Sequence, residues 1–240
     1  MGRPGTRAQT RYEGVVALAF DLVIVDLDGT LVDSEALLVR LVNTTLTAHG
    51  HPAATTLTIA AAIGLPLDEV FRRAAPTVHQ SGIEALCADY RRQADAKEFV
   101  RQFRLFADVA TTLEHLHAGA VRLVVATSKG RATTLDILAH CAVPHCIDAV
   151  IGGDSVAHGK PHREMVDRAR HLFPAAPQRT LMVGDTSFDI QMGKSAGVAT
   201  CAVTTGTHSS AMLLALQPDF VIDRFAALSR LILGDSYPTP

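Results

Sequence analysis

Short apolar runs alternate with longer helix-length stretches over most of this 240-residue chain. The runs are rich in β-branched residues, which is typical of strands buried on both faces of a sheet. The predicted strands lie at residues 22–25, 123–126, 181–183 and 199–203. The predicted helices of the same region lie at residues 109–118, 131–140, 162–173 and 187–196. This alternation predicts βαβ units, and therefore an α/β fold whose parallel, Rossmann-like sheet carries helices on both faces.

The stretch at residues 34–105 breaks the alternation. It contains no convincing β-type run and carries helical patterning instead, at residues 36–48, 67–75 and 83–103. Because it leaves the sheet after the first strand, we expect it to form an inserted, all-helical cap subdomain that can act as a lid. The α/β core is then assigned to residues 16–33 and 106–234. We expect a flexible leader at 1–15 and a flexible tail at 235–240.

Charge and cysteine content narrow the class of protein. A formal net charge of −2 gives no broad electrostatic reason to bind nucleic acid or an anionic membrane. No apolar run approaches the roughly 18 residues that a spanning helix needs. The four cysteines form no CxxC pair and fit neither a zinc site nor a disulfide framework, so we expect a cytoplasmic protein with reduced thiols. The sequence carries no signal of oligomeric state.

Two aspartates follow directly on the first predicted strand, in the sequence DLDGT at 26–30. Residues i and i+2 of an extended chain point the same way, so Asp26 and Asp28 can face one point in space. Two neighbouring carboxylates repel each other unless a cation or a proton-transfer task accounts for them. Thr127 and Asp185 follow two other predicted strands. All four residues should therefore meet beyond the carboxyl ends of the strands, where open α/β sheets bind ligands.

This group of residues suits attack on a phosphate ester. An ordinary Asp, with a pKa of about 3.9, is ionised at neutral pH, and we assign Asp26 as the nucleophile. Two like charges about 4 Å apart repel by roughly 4 kcal/mol at an effective dielectric constant near 20. A Mg²⁺ ion held by Asp26, Asp185 and the main-chain carbonyl of Asp28 would offset that repulsion. The Asp28 side chain would then serve as general acid and afterwards as general base.

Other polar residues are candidates for supporting roles. Lys160 can supply a fixed positive charge to the transferring group, and the Thr127 hydroxyl can hydrogen-bond its oxygens. Thr127 could also cap the helix that follows it. Asp189, one helical turn beyond Asp185, could position Lys160 or a metal-bound water, or it could be a structural partner on its helix. His208, in the loop after the strand at 199–203, could lie near the site.

These motifs resemble those of the haloacid dehalogenase-like hydrolase superfamily, and the resemblance runs from about residue 20 to 233. The sequence DLDGTLVDS at 26–34 is similar to the first motif of that superfamily nearly letter for letter. Thr127 matches the second motif, Lys160 the third, and GDTSFD at 184–189 the fourth. The helical insertion after the first motif resembles the subgroup that has a small helical cap.

Within that subgroup the phosphoglycolate phosphatase-like members look nearest. The sequence GLPL at 64–67 resembles their cap loop, and TSK at 127–129 stands where they usually carry Thr-Asn-Lys. The resemblance implies a phosphoaspartate on Asp26, acid/base catalysis by Asp28 and a requirement for Mg²⁺. It also implies phosphate contacts from Thr127 and from Ser128, which replaces the usual Asn. The expected substrate is a small phosphorylated metabolite, similar to phosphoglycolate.

Several other activities are compatible with the same core. A β-phosphoglucomutase-like phosphosugar mutase keeps both aspartates but typically carries a cap His soon after the first motif, and SEALL at 34–38 has none. Haloacid dehalogenases and phosphonate hydrolases typically lack an acid at the position of Asp28. An inorganic pyrophosphatase of the same family is a further alternative. A non-catalytic binding protein of this fold usually loses the nucleophile or the metal carboxylate, whereas this chain keeps Asp26 and Asp185.

Overall fold

A computed structural model describes residues 20–234 of the chain. Within that range, six strands form one sheet with every neighbouring pair parallel. They are β1 (Leu22–Val25), β2 (Arg122–Ala126), β3 (Ala149–Ile151), β4 (Thr180–Gly184), β5 (Ala199–Val203) and β6 (Phe220–Ile222). The order across the sheet is β3-β2-β1-β4-β5-β6, so the direction of winding reverses between β1 and β4. In doubly wound sheets, that reversal opens a crevice at the carboxyl ends of the two central strands.

Helices cover both faces of this sheet. Those of the core are α6 (Val109–Ala118), α7 (Arg131–His140), α8 (Glu164–Leu172), α9 (Ser187–Ser195), α10 (Ser210–Ala215) and α11 (Ala227–Leu233). Successive residues of β1 point to opposite faces: Val23 and Val25 pack in a cluster with α6 and α11, and Leu22 and Ile24 in a cluster with α8 and α9. The predicted α/β fold with helices on both faces is confirmed.

The inserted segment consists of helices and builds its own apolar cluster. Its helices are α1 (Glu35–Ala48), α2 (Thr56–Ala60), α3 (Leu67–Ala74), α4 (Gln80–Ala94) and α5 (Lys97–Val100). Buried Leu46, Ile59, Phe71 and Leu86 belong to that cluster, which lies apart from the two that pack against the sheet. We refer to α1–α5 as the cap. The expected flexible ends at 1–15 and 235–240 lie outside the described residues.

The structure corrects two details of the predicted elements. The continuous helix predicted at 83–103 is wrong, because α4 ends at Ala94 and α5 begins at Lys97. The break lets Phe99 and Phe103 join the sheet-side cluster, whereas Ile83 packs inside the cap. The edge strands β3 and β6 escaped prediction because each is only three residues long. No helix within residues 20–234 has the length and apolar character needed to cross a membrane.

The separate cap cluster yields a stability prediction with a matched control. Leu86 is fully buried in the cap, whereas Leu57 on α2 is 80% exposed. Leu86→Ala should lower the free energy of unfolding by about 2–5 kcal/mol, because it removes buried methyl groups and leaves a cavity. Leu57→Ala should change it by no more than about 0.5 kcal/mol. Urea denaturation followed by circular dichroism measures both, and equal losses would contradict the assignment of the cap core.

Candidate active site

The predicted site residues meet at the carboxyl edge of the sheet, where the winding reverses. Asp26 directly follows β1, Thr127 follows β2 and Asp185 follows β4. Lys160 lies in the loop before α8, and its side chain is fully buried. Residues far apart in the sequence therefore share one location because parallel strands end on the same side of the sheet.

Lys160 lies between two buried carboxylates. Its Nζ atom is 2.6 Å from Asp26 Oδ1 and 2.7 Å from Asp189 Oδ1. Burial raises the pKa of Asp26 well above its ordinary value, although the positive charge of Lys160 opposes that rise. Burial alone would lower the pKa of Lys160, but the negative charges of Asp189 and Asp26 raise it overall. The side chain is thus held as an ammonium ion beside the proposed nucleophile.

Asp185 is fixed by two hydrogen bonds and by the absence of side chains on two neighbouring glycines. Thr30 Oγ1 donates to Asp185 Oδ1 at 2.8 Å, and the Thr207 N–H donates to Asp185 Oδ2 at 2.8 Å. A Cβ atom on Gly29 or Gly206 would collide with the carboxylate, and Gly29 also has a φ of +82°. Burial raises the pKa of Asp185 to about 7, and the charge of Asp189 adds to the shift.

Asp28 is held by two partners on the cleft side of the site. Ser34 Oγ donates to Asp28 Oδ1 at 2.8 Å, and Lys129 Nζ lies 3.2 Å from Asp28 Oδ2. The Lys129 ammonium group also packs over the Phe103 ring, 5.2 Å from its centroid. The TSK motif contains Lys129, but the sequence alone does not predict a role for it. Only the fold shows that the ammonium group of Lys129 lies beside Asp28 of the DLDGT motif.

Asp189 combines both of the roles considered for it. Thr186 is the N-cap of α9, and Asp189 completes a capping box in which its Oδ2 accepts the Thr186 N–H at 3.0 Å. The Thr186 hydroxyl donates to the same oxygen at 2.6 Å. The other carboxylate oxygen faces Lys160. A structural helix cap therefore fixes the carboxylate that positions the buried lysine.

Of the remaining candidates, Thr127 and Ser128 line the cleft between the cap and the core, whereas His208 lies outside its lining. Thr127 is buried at the end of β2, and Gly130 rather than Thr127 is the N-cap of α7, so the capping role considered for Thr127 is wrong. Ser128 Oγ donates to the Gly64 carbonyl of the cap at 2.6 Å. His208 is buried and its Nδ1 accepts the Ser187 N–H at 3.0 Å, while burial lowers its pKa. His208 thus accepts a hydrogen bond from the first residue of α9 and packs edge-on against the Phe188 ring.

The cluster around Lys160 has the composition of a cation site. Oxygen atoms of Asp26, Asp185 and Asp189 lie within 4.8 Å of one another. Burial is the main cause of the raised pKa values of Asp26 and Asp185, and the excess negative charge of three carboxylates against one ammonium ion adds to the rise. An oxygen-preferring divalent cation would remove that excess, so the residues present fit such an ion.

A family model described as haloacid dehalogenase-like hydrolase matches residues 23–203. The chain belongs to this family. A haloacid dehalogenase-like hydrolase of Bacteroides fragilis superposes with a TM-score of 0.82 at 28% identity, over 87% of this chain and 99% of that one.

Curated relatives of this haloacid dehalogenase-like hydrolase carry phosphatase names. A Dickeya dadantii protein named as a probable phosphatase, IndB, is 37% identical over 85% of this chain and 90% of its own length. A plasmid-borne phosphoglycolate phosphatase of Cupriavidus necator is 30% identical over 90% of this chain and 95% of its own length. Together with the family assignment, these relatives identify the chain as a phosphatase.

The buried carboxylates predict a pH dependence of stability in metal-free protein. The pKa of Asp185 in the folded chain, about 7, lies above its ordinary value of 3.8, so the folded state keeps a proton that the unfolded state releases. The free energy of unfolding should therefore fall as the pH rises from about 4 to about 7. Above about pH 7, the stabilisation contributed by the protonated Asp185 is lost.

Denaturation in the presence of a chelator, at about pH 5 and about pH 8, measures the effect. Asp185→Asn should make the fall at least about 1 kcal/mol smaller, because the variant has no carboxyl group to ionise there. Asp136→Asn, at an exposed position on α7, is the matched control and should behave like the wild type. An equal fall in all three proteins would contradict the raised pKa.

Proposed function

We propose that this phosphatase hydrolyses phosphomonoesters of small metabolites through an aspartyl-phosphate on Asp26, with Mg²⁺ as its cofactor. The observation that carries the proposal is the buried Asp26–Lys160–Asp189 arrangement beside Asp185. Asp26 and Asp28 both line the large cleft between the cap and the core, so the nucleophile and the acid face the same space.

The chemistry follows from the contacts of Asp26 and Asp28. Because Lys160 binds Asp26 Oδ1, the other carboxylate oxygen is the one that attacks phosphorus. The bond from phosphorus to the ester oxygen breaks, and Asp28 gives its proton to that leaving oxygen. Asp28 then takes a proton from water, and the resulting hydroxide displaces Asp26 from phosphorus. The products are inorganic phosphate, the alcohol and a regenerated Asp26 carboxylate.

Mg²⁺ would be held by Asp26 and Asp185, with the main-chain carbonyl of Asp28 as a third ligand. When bound it supplies positive charge that reduces the repulsion between the phosphate and the surrounding carboxylates. Asp189 is the less suitable ligand, since Lys160 and Thr186 already occupy its oxygens. We therefore keep Asp189 as the residue that positions Lys160. Thr127 and Lys160 are the groups that bind the phosphoryl oxygens, with Ser128 as a further contact.

The unpaired state of its four cysteines supports the proposal that the enzyme works in a reducing environment. Cys87, Cys141, Cys146 and Cys201 are all free, and burial raises the pKa of each thiol. Buried, protonated thiols are poor nucleophiles and need no disulfide partner. A cytoplasmic location is consistent with four unpaired cysteines.

Removing the proposed nucleophile tests the function directly. Asp26→Asn should lower kcat for p-nitrophenyl phosphate by at least about 1,000-fold, because an amide cannot form the covalent intermediate. The control is Asp33→Asn, the same substitution at an exposed position of the same motif, which should retain wild-type turnover. Phosphate release is measured with Mg²⁺ and with a chelator. Full activity of Asp26→Asn, or Mg²⁺-independent turnover by the wild type, would refute the mechanism.

The same assay distinguishes the alternative activities. Glucose 1-phosphate is added, and free phosphate and the 6-phosphate are both measured. A phosphatase releases phosphate, whereas a mutase forms the 6-phosphate. Inorganic pyrophosphate is tested in parallel, because the pyrophosphatase alternative keeps every motif.

The ion pair between Lys129 and Asp28 yields a prediction about the leaving group. Lys129→Met should misplace Asp28 and so slow the protonation of the departing oxygen. An alkoxide needs that proton, whereas p-nitrophenolate leaves without it. We therefore expect kcat for an alkyl phosphate to fall at least about 10-fold more than kcat for p-nitrophenyl phosphate, which corresponds to about 1.4 kcal/mol. Lys129→Arg should restore part of the difference, and equal losses on both substrates would contradict the positioning role.

A further inference from the structure

The cap and the core are in direct contact in this structure. The size of the cleft between them is therefore the size it has when the two parts touch. Ser128 Oγ donates to the Gly64 carbonyl at 2.6 Å on one side. Thr133 Oγ1 donates to Asp95 Oδ1 on another side. Thr127 and Lys129, in the same motif as Ser128, line the cleft. The volume of the cleft, about 670 Å³, is therefore that of a cap that has met the core rather than of one swung away from it.

That volume is large for a phosphoryl group with one or two carbon atoms. Pockets of about 300–1,000 Å³ enclose most of the surface of a drug-sized ligand. The lining of the cleft includes apolar side chains of the cap helices and of the loop that follows α2. They are Leu38, Val42, Ile63, Leu65, Leu67 and Val70. Five of these six side chains are already buried, and only Leu67 is partly exposed. They therefore offer a leaving group close apolar contacts rather than a large apolar area still in water. A two-carbon leaving group would leave most of the cleft volume empty.

The charged residues of the same lining are mostly acidic. Asp68, Glu69 and Asp95 come from the cap side, Asp154 comes from the core, and Arg91 is the one basic residue of the cap among the described residues that line the cleft. A leaving group that carries a carboxylate or a second phosphoryl group would meet four negative charges and one positive charge there. Like charges facing a ligand reduce its affinity, and a protein selects its substrates through such repulsion as well as through attraction.

The other nearby cations do not reverse this balance. Lys129 lines the cleft, but its ammonium group is paired with Asp28. Arg72 lies outside the lining and only approaches Asp68 and Glu69, at 3.9 and 3.6 Å between charged atoms. Those three side chains are between 41% and 49% exposed, so water weakens the pairing and the carboxylates keep most of their effect on a ligand.

We infer that the preferred substrate is a phosphomonoester whose leaving group is bulky, largely apolar or aromatic, and free of negative charge. The inference rests on the phosphatase function proposed above and narrows its substrate class. Phosphoglycolate can enter the cleft, but its carboxylate would face the acidic lining and its two carbons would leave most of the cleft volume empty. Size and charge are separate properties of the leaving group, so each can be tested alone.

Charge is tested with two substrates of matched size. The leaving groups of 4-carboxyphenyl phosphate and 4-carbamoylphenyl phosphate differ in charge but have nearly the same shape. We expect kcat/KM to be at least about 10-fold higher for the carbamoyl compound, a difference of about 1.4 kcal/mol. The double variant Asp68→Asn/Glu69→Gln should reduce that ratio at least about 3-fold. Glu98→Gln, an exposed carboxylate on α5 outside the cleft, should leave the ratio unchanged.

Size is tested with 2-(1-naphthyl)ethyl phosphate against ethyl phosphate, whose leaving alcohols are both uncharged and of similar acidity, each assayed with Mg²⁺ and with the chelator. We expect kcat/KM to be at least about 10-fold higher for the naphthyl compound. A ratio of one or less, or equal turnover of the carboxyphenyl and carbamoylphenyl compounds, would overturn the inference and leave the phosphatase function standing. Absence of Mg²⁺-dependent phosphate release from every one of these substrates would instead overturn the proposed function, and the substrate class with it.

Discussion

A buried ammonium group between two carboxylates is the interaction on which the site depends. Lys160 has no exposed surface, and its two partners, Asp26 and Asp189, come from the ends of strand β1 and from helix α9. Removal of one member of a buried charge pair is costly because the other charge remains without compensation. The loop before α8 must therefore keep its position relative to both the end of β1 and helix α9. The same constraint holds Asp26, the proposed nucleophile, in place, so the stability of the core is coupled to the geometry of the proposed reaction.

The convergence of the acidic residues could be predicted from the sequence, whereas several of their partners could not. Asp26 and Asp185 follow apolar runs that read as parallel strands, and parallel strands carry the residues after them to one edge of the sheet. The ion pair of Lys129 with Asp28 and the hydrogen bond of Thr207 to Asp185 depend on how loops meet in three dimensions. No spacing rule along the chain expresses such contacts between loops.

The secondary structure could likewise be predicted where the hydrophobic pattern is long and regular, and could not where the pattern is short. Helix α6 was predicted with its observed bounds, Val109–Ala118, because its apolar stripe is long and regular. Strands β3 and β6 have three residues each, too few to show a period of two or a buried run. The interruption between α4 and α5 has a tertiary cause: the chain must turn there so that Phe99 and Phe103 reach the sheet-side cluster. Local patterning cannot reveal which of two cores a residue will join.

Under the proposed function, the core supplies the reacting groups and the cap supplies most of the side chains that select the substrate. The groups proposed for phosphoryl transfer follow strand ends of the core, where backbone hydrogen bonds to neighbouring strands restrict their movement. The side chains that surround the leaving group come largely from α1, α3, α4 and the loop before α3. Val70 belongs to the cap cluster, which does not include Lys160 or its partners, so we expect its substitution to change the cleft and leave the contacts of Lys160 intact. The Ser128 hydroxyl forms a direct link between the parts, because it belongs to the core motif and donates its proton to the cap. While that bond is made, Ser128 has no proton to give to a phosphate oxygen, so its contact with substrate requires either the loss of this link or a role as acceptor.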